Sequence, residues 1–191
     1  MRKLFLSLLA LCAASVIQAQ NVSGNCYRGF ADAGYTIGIG DYCFGRVEIN
    51  TSHGYQINPF IYIGAGAGIH FMQSYSTSGS GIPLDTRKSM VDIPVFANIR
   101  CNMMKTKVAP FIDVKAGTYI TNSGGLYANI SLGCRIATNS RQAVNISFGY
   151  TSEKLEFQTF NRFSSITSMN YTRKATKYNA EGITLKIGYE L

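Results

Sequence analysis

The stretch Val91-Asp92-Ile93-Pro94-Val95-Phe96-Ala97-Asn98-Ile99-Arg100-Cys101 alternates in polarity from one residue to the next. Val91, Ile93, Val95, Ala97, Ile99 and Cys101 form an apolar face, and Asp92, Asn98 and Arg100, with Phe96 between them, form the other. A period of two marks a β-strand, and two unlike faces mark a strand that separates two environments. The alternation recurs downstream. In residues 108–121, Ile112, Val114 and Ile120 oppose Asp113, Lys115 and Tyr119. Leu126, Ala128, Ile130, Leu132, Cys134 and Ile136 oppose Tyr127, Asn129, Ser131, Gly133 and Arg135. Val144, Ile146, Phe148 and Tyr150 oppose Asn145, Ser147, Gly149 and Thr151. At the C-terminus Ile183, Leu185, Ile187, Tyr189 and Leu191 oppose Thr184, Lys186, Gly188 and Glu190. Upstream, residues 26–40, 45–53 and 60–73 complete a set of eight strands.

Composition agrees with an all-β chain. Its 191 residues allow one domain, and a charged content of 15% falls below the roughly 25% usual for soluble domains. There are 19 glycines and no tryptophan, and beyond the N-terminus no run reaches the 18 apolar residues of a membrane helix. A coiled coil, a collagen-like chain, a disordered chain and a polytopic helical membrane protein are excluded. A formal charge of +8 favours an anionic neighbour without naming one.

Residues 1–19 read as a cleaved signal peptide. Arg2 and Lys3 precede an apolar run over residues 4–11, and Ile17 and Ala19 suit cleavage before Gln20. A lipoprotein reading through Cys12 is weaker, because Leu11 stands where a small residue is needed. Residues 20–191 then form the mature barrel domain outside the cytoplasm.

Which face meets the core decides the fold class. A soluble sandwich or carrier barrel turns its apolar face inward, whereas a transmembrane barrel turns it toward lipid and its polar face toward the lumen. The connections favour inversion. Residues 54–59, 102–107 and 137–142 are short turns at one end, while residues 74–89 and 158–179 are long loops at the other. By parity the lumen would hold six basic side chains, Arg28, Arg46, Arg100, Lys115, Arg135 and Lys186. It would also hold six acidic ones, Asp32, Glu48, Asp92, Asp113, Glu153 and Glu190. Such balance is what a narrow, desolvated interior requires. The expectation is an eight-stranded antiparallel up-and-down transmembrane β-barrel.

Two stretches carry a family resemblance. Leu185-Lys186-Ile187-Gly188-Tyr189-Glu190-Leu191 alternates and ends on a hydrophobic residue. Thr51-Ser52-His53-Gly54-Tyr55-Gln56-Ile57-Asn58-Pro59 precedes the run Ile63-Gly64-Ala65-Gly66-Ala67-Gly68. With these, the chain resembles the small eight-stranded outer-membrane barrels of Gram-negative bacteria, the OmpX/OmpA type within the porin-like superfamily. The terminal Leu191 departs from the family's favoured phenylalanine. The resemblance implies residence in the outer membrane beside lipopolysaccharide, and a C-terminal strand read by the barrel-assembly machinery.

No catalytic, metal or cofactor residue is assigned. Gly64, Gly66 and Gly68 lack phosphate-loop spacing and are read as inward residues that make room for Phe30, Phe96, Phe111 and Tyr119. His70 faces the lumen and His53 the short-turn end, both away from an outer-leaflet lipid substrate. Cys26, Cys43, Cys101 and Cys134 have neither zinc spacing nor geometry for disulfides, so four free thiols are expected. Tyr27, Tyr75, Tyr150 and Tyr189 are candidates for an interfacial belt. The loop Ser-Tyr-Ser-Thr-Ser-Gly-Ser-Gly over residues 74–81 reads as flexible. Residues 158–179 mix Phe160, Phe163, Tyr171 and Tyr178 with Arg162, Arg173, Lys174 and Lys177 and contain no acid. They suit either an anion or partner site, for lipopolysaccharide phosphates or an external glycan or protein, or a hairpin projecting beyond the membrane.

The function expected is non-enzymatic, structural or adhesive, in a monomer without a nucleic-acid partner. Three other readings stay open: a small channel, a lipid A-modifying barrel, and a soluble exported barrel carrying an apolar ligand.

Overall fold

The computed structural model describes residues 26–79, 82–104, 106–121, 125–138, 142–165 and 168–191, with side chains throughout except at 78–79, 82–84, 160–165 and 168–173. The expected signal peptide, residues 1–19, lies outside the described residues. All the regular structure described is strand: β1 (Cys26–Ile39), β2 (Arg46–Gln56), β3 (Ile61–Met72), β4 (Tyr75–Gly79), β5 (Ile82–Arg87) and β6 (Met90–Asp92). There follow β7 (Pro94–Asn102), β8 (Val108–Tyr119), β9 (Leu126–Ala137), β10 (Ala143–Ser165) and β11 (Ser168–Glu190).

Eight staves close into a barrel. Each pairs antiparallel with its sequence neighbours, and β11 closes the ring by pairing with both β10 and β1, so that Ile187 stands opposite Ile146 on one side and Ala33 on the other. Strands β6 and β7 form one stave beside β3, since His70↔Asp92 and Ala67↔Val95 belong to one register across the break at Ile93. Closure leaves the wall without an open edge.

The faces are inverted relative to a soluble barrel. Leu132 is 60% exposed on the outside, whereas Lys115 and Glu48 inside are 1% and 2% exposed. Ile49, Ile63, Ile99, Ile130, Ile146 and Leu185 continue this outward apolar belt. So wide an apolar surface is foreign to a soluble monomer and is what lipid solvates. The fold is therefore an eight-stranded antiparallel transmembrane β-barrel.

Strands β10 and β11 do more than cross. Each has 23 residues, paired from Ala143↔Glu190 to Ser165↔Ser168, against the roughly 9–11 that a tilted crossing needs. Beyond the belt their faces exchange polarity. Outward, Val144, Ile146, Phe148 and Tyr150 give way to Ser152, Lys154 and Glu156; inward, Asn145, Ser147, Thr151 and Glu153 give way to Leu155 and Phe157. Over residues 152–159 the hairpin is built like a soluble sheet.

Three expectations about connections change. β2 runs on to Gln56, which shortens the first turn. Residues 74–89 contain the β4–β5 hairpin instead of a flexible loop, because β5 hydrogen-bonds to the projecting part of β10 at Gln158↔Thr86 and Thr159↔Asp85. The projecting sheet thus runs β11–β10–β5–β4. Tyr75 leaves the proposed interfacial belt for this sheet: it donates to the backbone oxygen of Asp41 and its ring lies 5.7 Å from that of Tyr42.

Candidate functional site

The interior starts from a steric allowance. A Cβ on Gly66 would stand 2.7 Å from Cε2 of Phe96, and one on Gly133 would meet the ring of Phe111, so glycines on the wall admit rings into the bore. These rings then sandwich a cation. The Arg100 guanidinium lies 4.1 Å from the centroid of Phe30 and 4.3 Å from that of Phe111, and its Nε donates to Asp113 at 3.1 Å. Asp113 also accepts from Asn98 Nδ2 at 2.8 Å.

Farther toward the long-loop end the polar side chains interlock. Lys115 Nζ donates to Asp32 at 2.6 Å, and Lys186 Nζ donates to Asn129 Oδ1. Thr36 donates to Glu48 at 2.6 Å, and Asn50 Nδ2 reaches both Glu48 and Asp32, at 3.1 and 3.3 Å. His70 sits across this layer, with Nε2 3.1 Å from Asn50 Oδ1 and Nδ1 2.8 Å from the Tyr119 hydroxyl, which itself donates to Glu153 at 2.7 Å. Arg46 faces Glu153 at 3.2 Å. The cavity between Asp32, Arg100, Asp113, Lys115 and Lys186 has a volume of about 10 Å³, room for about one water molecule. The bore is a packed polar core.

Each mouth has its own construction. At the long-loop end Phe44, Leu155, Phe157 and Tyr178 gather with Tyr42 and Tyr75 into an apolar cap. Phe157 is fully buried, 4.6 Å by ring centroid from Tyr42. Burial among these rings, with Asp85 beside it, raises the pKa of the Tyr42 hydroxyl above its ordinary value. Below the cap Arg87 reaches inward from β5 to pair with Asp92 and donates to the backbone oxygen of Glu156 at 3.0 Å. At the short-turn end Glu190 receives two guanidinium groups. Arg135 approaches it with Nε at 2.6 Å and Nη2 at 3.2 Å, and Arg28 with Nη1.

All twelve charged positions that parity placed inside lie along this bore. Asp32, Arg46, Glu48, Asp92, Arg100, Asp113, Lys115, Glu153, Lys186 and Glu190 are buried, and the side chains of Arg28 and Arg135 are 17% and 15% exposed at the short-turn mouth. The basic quartet of the last hairpin is not gathered into one site. Arg162 pairs with Tyr171, Arg173 with Phe160, Lys174 with Thr159 and Lys177 with Glu156, spread along the two arms. Lys174 and Lys177 are exposed, and the side chains of Arg162 and Arg173 lie outside the described residues. His53 stands on the outer wall, 2.6 Å from the Tyr27 hydroxyl, and all four cysteines are unpaired.

Sequence reasoning missed Arg87 and the aromatic cap. The cap was readable in principle, because Leu155 and Phe157 continue the inward parity of Thr151 and Glu153. Arg87 had no local signal, since its partner is supplied by a different strand.

No family model matches the chain, and no curated protein matches its sequence. Among solved structures the barrel is similar to the crystal structure of neisserial surface protein A, NspA, with a TM-score of 0.53 over 88% of this chain and 99% of that one. At 13% sequence identity the likeness is one of fold.

Proposed function

We propose that this is a non-enzymatic outer-membrane barrel protein whose work is done by the sheet it projects beyond the membrane, as a structural or surface-interaction element. The observation that carries this reading is the exchange of polarity along β10 and β11. It places an apolar-walled crossing below and a water-facing sheet above on the same two strands. The similarity to a protein titled a surface protein agrees with it. In this orientation the short turns face the periplasm and the long hairpin faces outward, beside lipopolysaccharide, with residues 1–19 as the export signal and the β11 terminus as the assembly signal. Lys174, Lys177, Arg162 and Arg173 line the arms as contacts for lipopolysaccharide phosphates or for an external glycan or protein.

The packed bore argues against a channel, because eight strands leave only enough interior for side chains. It also argues against a carrier of apolar ligands. A lipid A-modifying role is disfavoured by His70, which is 1% exposed and turned into the bore.

The deciding experiment compares unheated and boiled samples on SDS gels, beside periplasmic and outer-membrane fractions. A detergent-dependent outer-membrane band whose mobility shifts on boiling supports the reading, and a soluble periplasmic band overturns it. Shortening the hairpin beyond Glu156 and Lys177 is then expected to keep the heat shift and abolish surface binding. Substituting His70 is expected to leave lipid A mass profiles unchanged.

A further inference from the structure

The short-turn mouth holds a cavity of about 240 Å³, lined by Arg28, Arg135, Glu190, Gln56, Asn102 and the turn residue Met104, among others. It is far roomier than the bore above it. Two guanidinium groups converge there on one carboxylate, which leaves the rim with an excess positive charge. Arg135 commits Nε and Nη2 to Glu190, two of the three nitrogens of its fork. Asn102 Oδ1 carries no hydrogen bond, so that amide is available to turn a donor toward an occupant. Among the described residues of the turns around the mouth, 57–60, 103–104, 106–107, 138 and 142, there is Lys107 and no Asp or Glu. The field at this end is therefore positive, and Glu190 is the one acid among the described residues that line the cavity.

We propose that this mouth is an anion-binding vestibule in which Arg28 and Arg135, bridged by Glu190, take the terminal carboxylate of an extended peptide chain. Guanidinium forks match carboxylates in geometry as well as charge, and capture of a chain terminus by convergent donors is a recurrent mode of peptide recognition. The cavity is smaller than the roughly 300–1,000 Å³ of a drug-sized pocket, which suits a terminal residue or two and not a folded partner. Its axial position favours a peptide over a lipid. A headgroup held in the leaflet outside the wall would have to climb over the ring of turns, whereas an extended chain enters along the barrel axis. The orientation under Proposed function makes the periplasm the side of entry.

The test uses the isotope-labelled protein refolded in zwitterionic micelles, with folding of every variant verified by the heat shift. The probe is acetyl-trialanine with a free C-terminal carboxylate, compared with its C-terminal amide and with dihexanoyl phosphatidylglycerol. The free acid is expected to move the side-chain signals of Arg28 and Arg135 saturably, and the amide is not. Arg135→Gln is expected to weaken binding about tenfold, whereas Glu190→Gln releases both guanidinium groups and is expected to tighten it about tenfold. A purely structural cluster predicts no tightening. Equal response to acid and amide, unchanged affinity in both variants, or a response to phosphatidylglycerol alone overturns the proposal. The titration is read in micelles and does not depend on where the protein resides. Failure to bind with a normal outer-membrane fractionation removes the vestibule and leaves the proposed function standing.

Discussion

The lower and upper halves of the β10–β11 hairpin obey opposite rules with one continuous backbone. Below, Ile146 and Leu185 face out while Asn145 and Lys186 face in; above, Lys154 and Glu156 face out while Leu155 and Phe157 are buried. Pairing runs on without a register shift between them. Backbone hydrogen bonding is indifferent to which face is apolar; the solvent around each half decides that. The membrane boundary is thus written as the place where parity keeps its step and polarity changes sign, between Tyr150 and Leu155.

The sharpest way to break the lower half is from inside. Asp113→Leu strands Arg100 between Phe30 and Phe111 without its carboxylate, and loss of one partner from a buried pair costs about 3–5 kcal/mol. The midpoint of urea unfolding in phospholipid vesicles, followed by unheated gel mobility, is expected to fall accordingly. An unchanged midpoint would mean that the bore is wetter than its packing implies.

Next comes the outer wall. Ile146→Arg places a charge in the belt, with an expected cost of about 2–4 kcal/mol near the bilayer midplane. Eight residues farther along the same strand, at Lys154, the rule reverses, and the contrast between the two sites measures where lipid ends.

A smaller effect tests the cap. Tyr75→Phe removes the hydrogen bond to Asp41 and is expected to cost about 0.5–1.5 kcal/mol. The loss is local to the projecting sheet, so protease cutting within residues 74–89 is expected to quicken while the barrel's unfolding midpoint stays put. The smallest effect belongs to Lys154→Ala, within about 0.5 kcal/mol by the same unfolding measurement, because that side chain already stands in water.

How much of this was legible follows from the same contrast. Wherever a strand separates lipid from the bore, its two faces differ and a period of two is visible; Leu126–Ile136 displays it almost without exception. Strand β4, with Ser76, Thr77 and Ser78, has no apolar face to announce it and exists because β5 docks on β10. Residues 158–179 leave a hairpin and a binding loop both open in the sequence because the apolar face swaps sides, so the outward face ends at Tyr150. Ion-pair partners were less legible than ion-pair membership. Parity says that Lys115 points inward, but that it meets Asp32 across the bore is a fact of closure, which joins residues far apart in the chain.

The seam between β1 and β11 has a consequence for biogenesis. The first and last staves are neighbours, so Ala33 waits for Ile187 and the ring cannot shut until nearly the whole chain has been delivered. Until then both staves present raw edges to any other strand at hand, a state prone to misassembly. Pairings this distant in sequence are slow to find by chance. Closure of this seam is thus bound to be among the last events of folding, when the two ends of the chain meet.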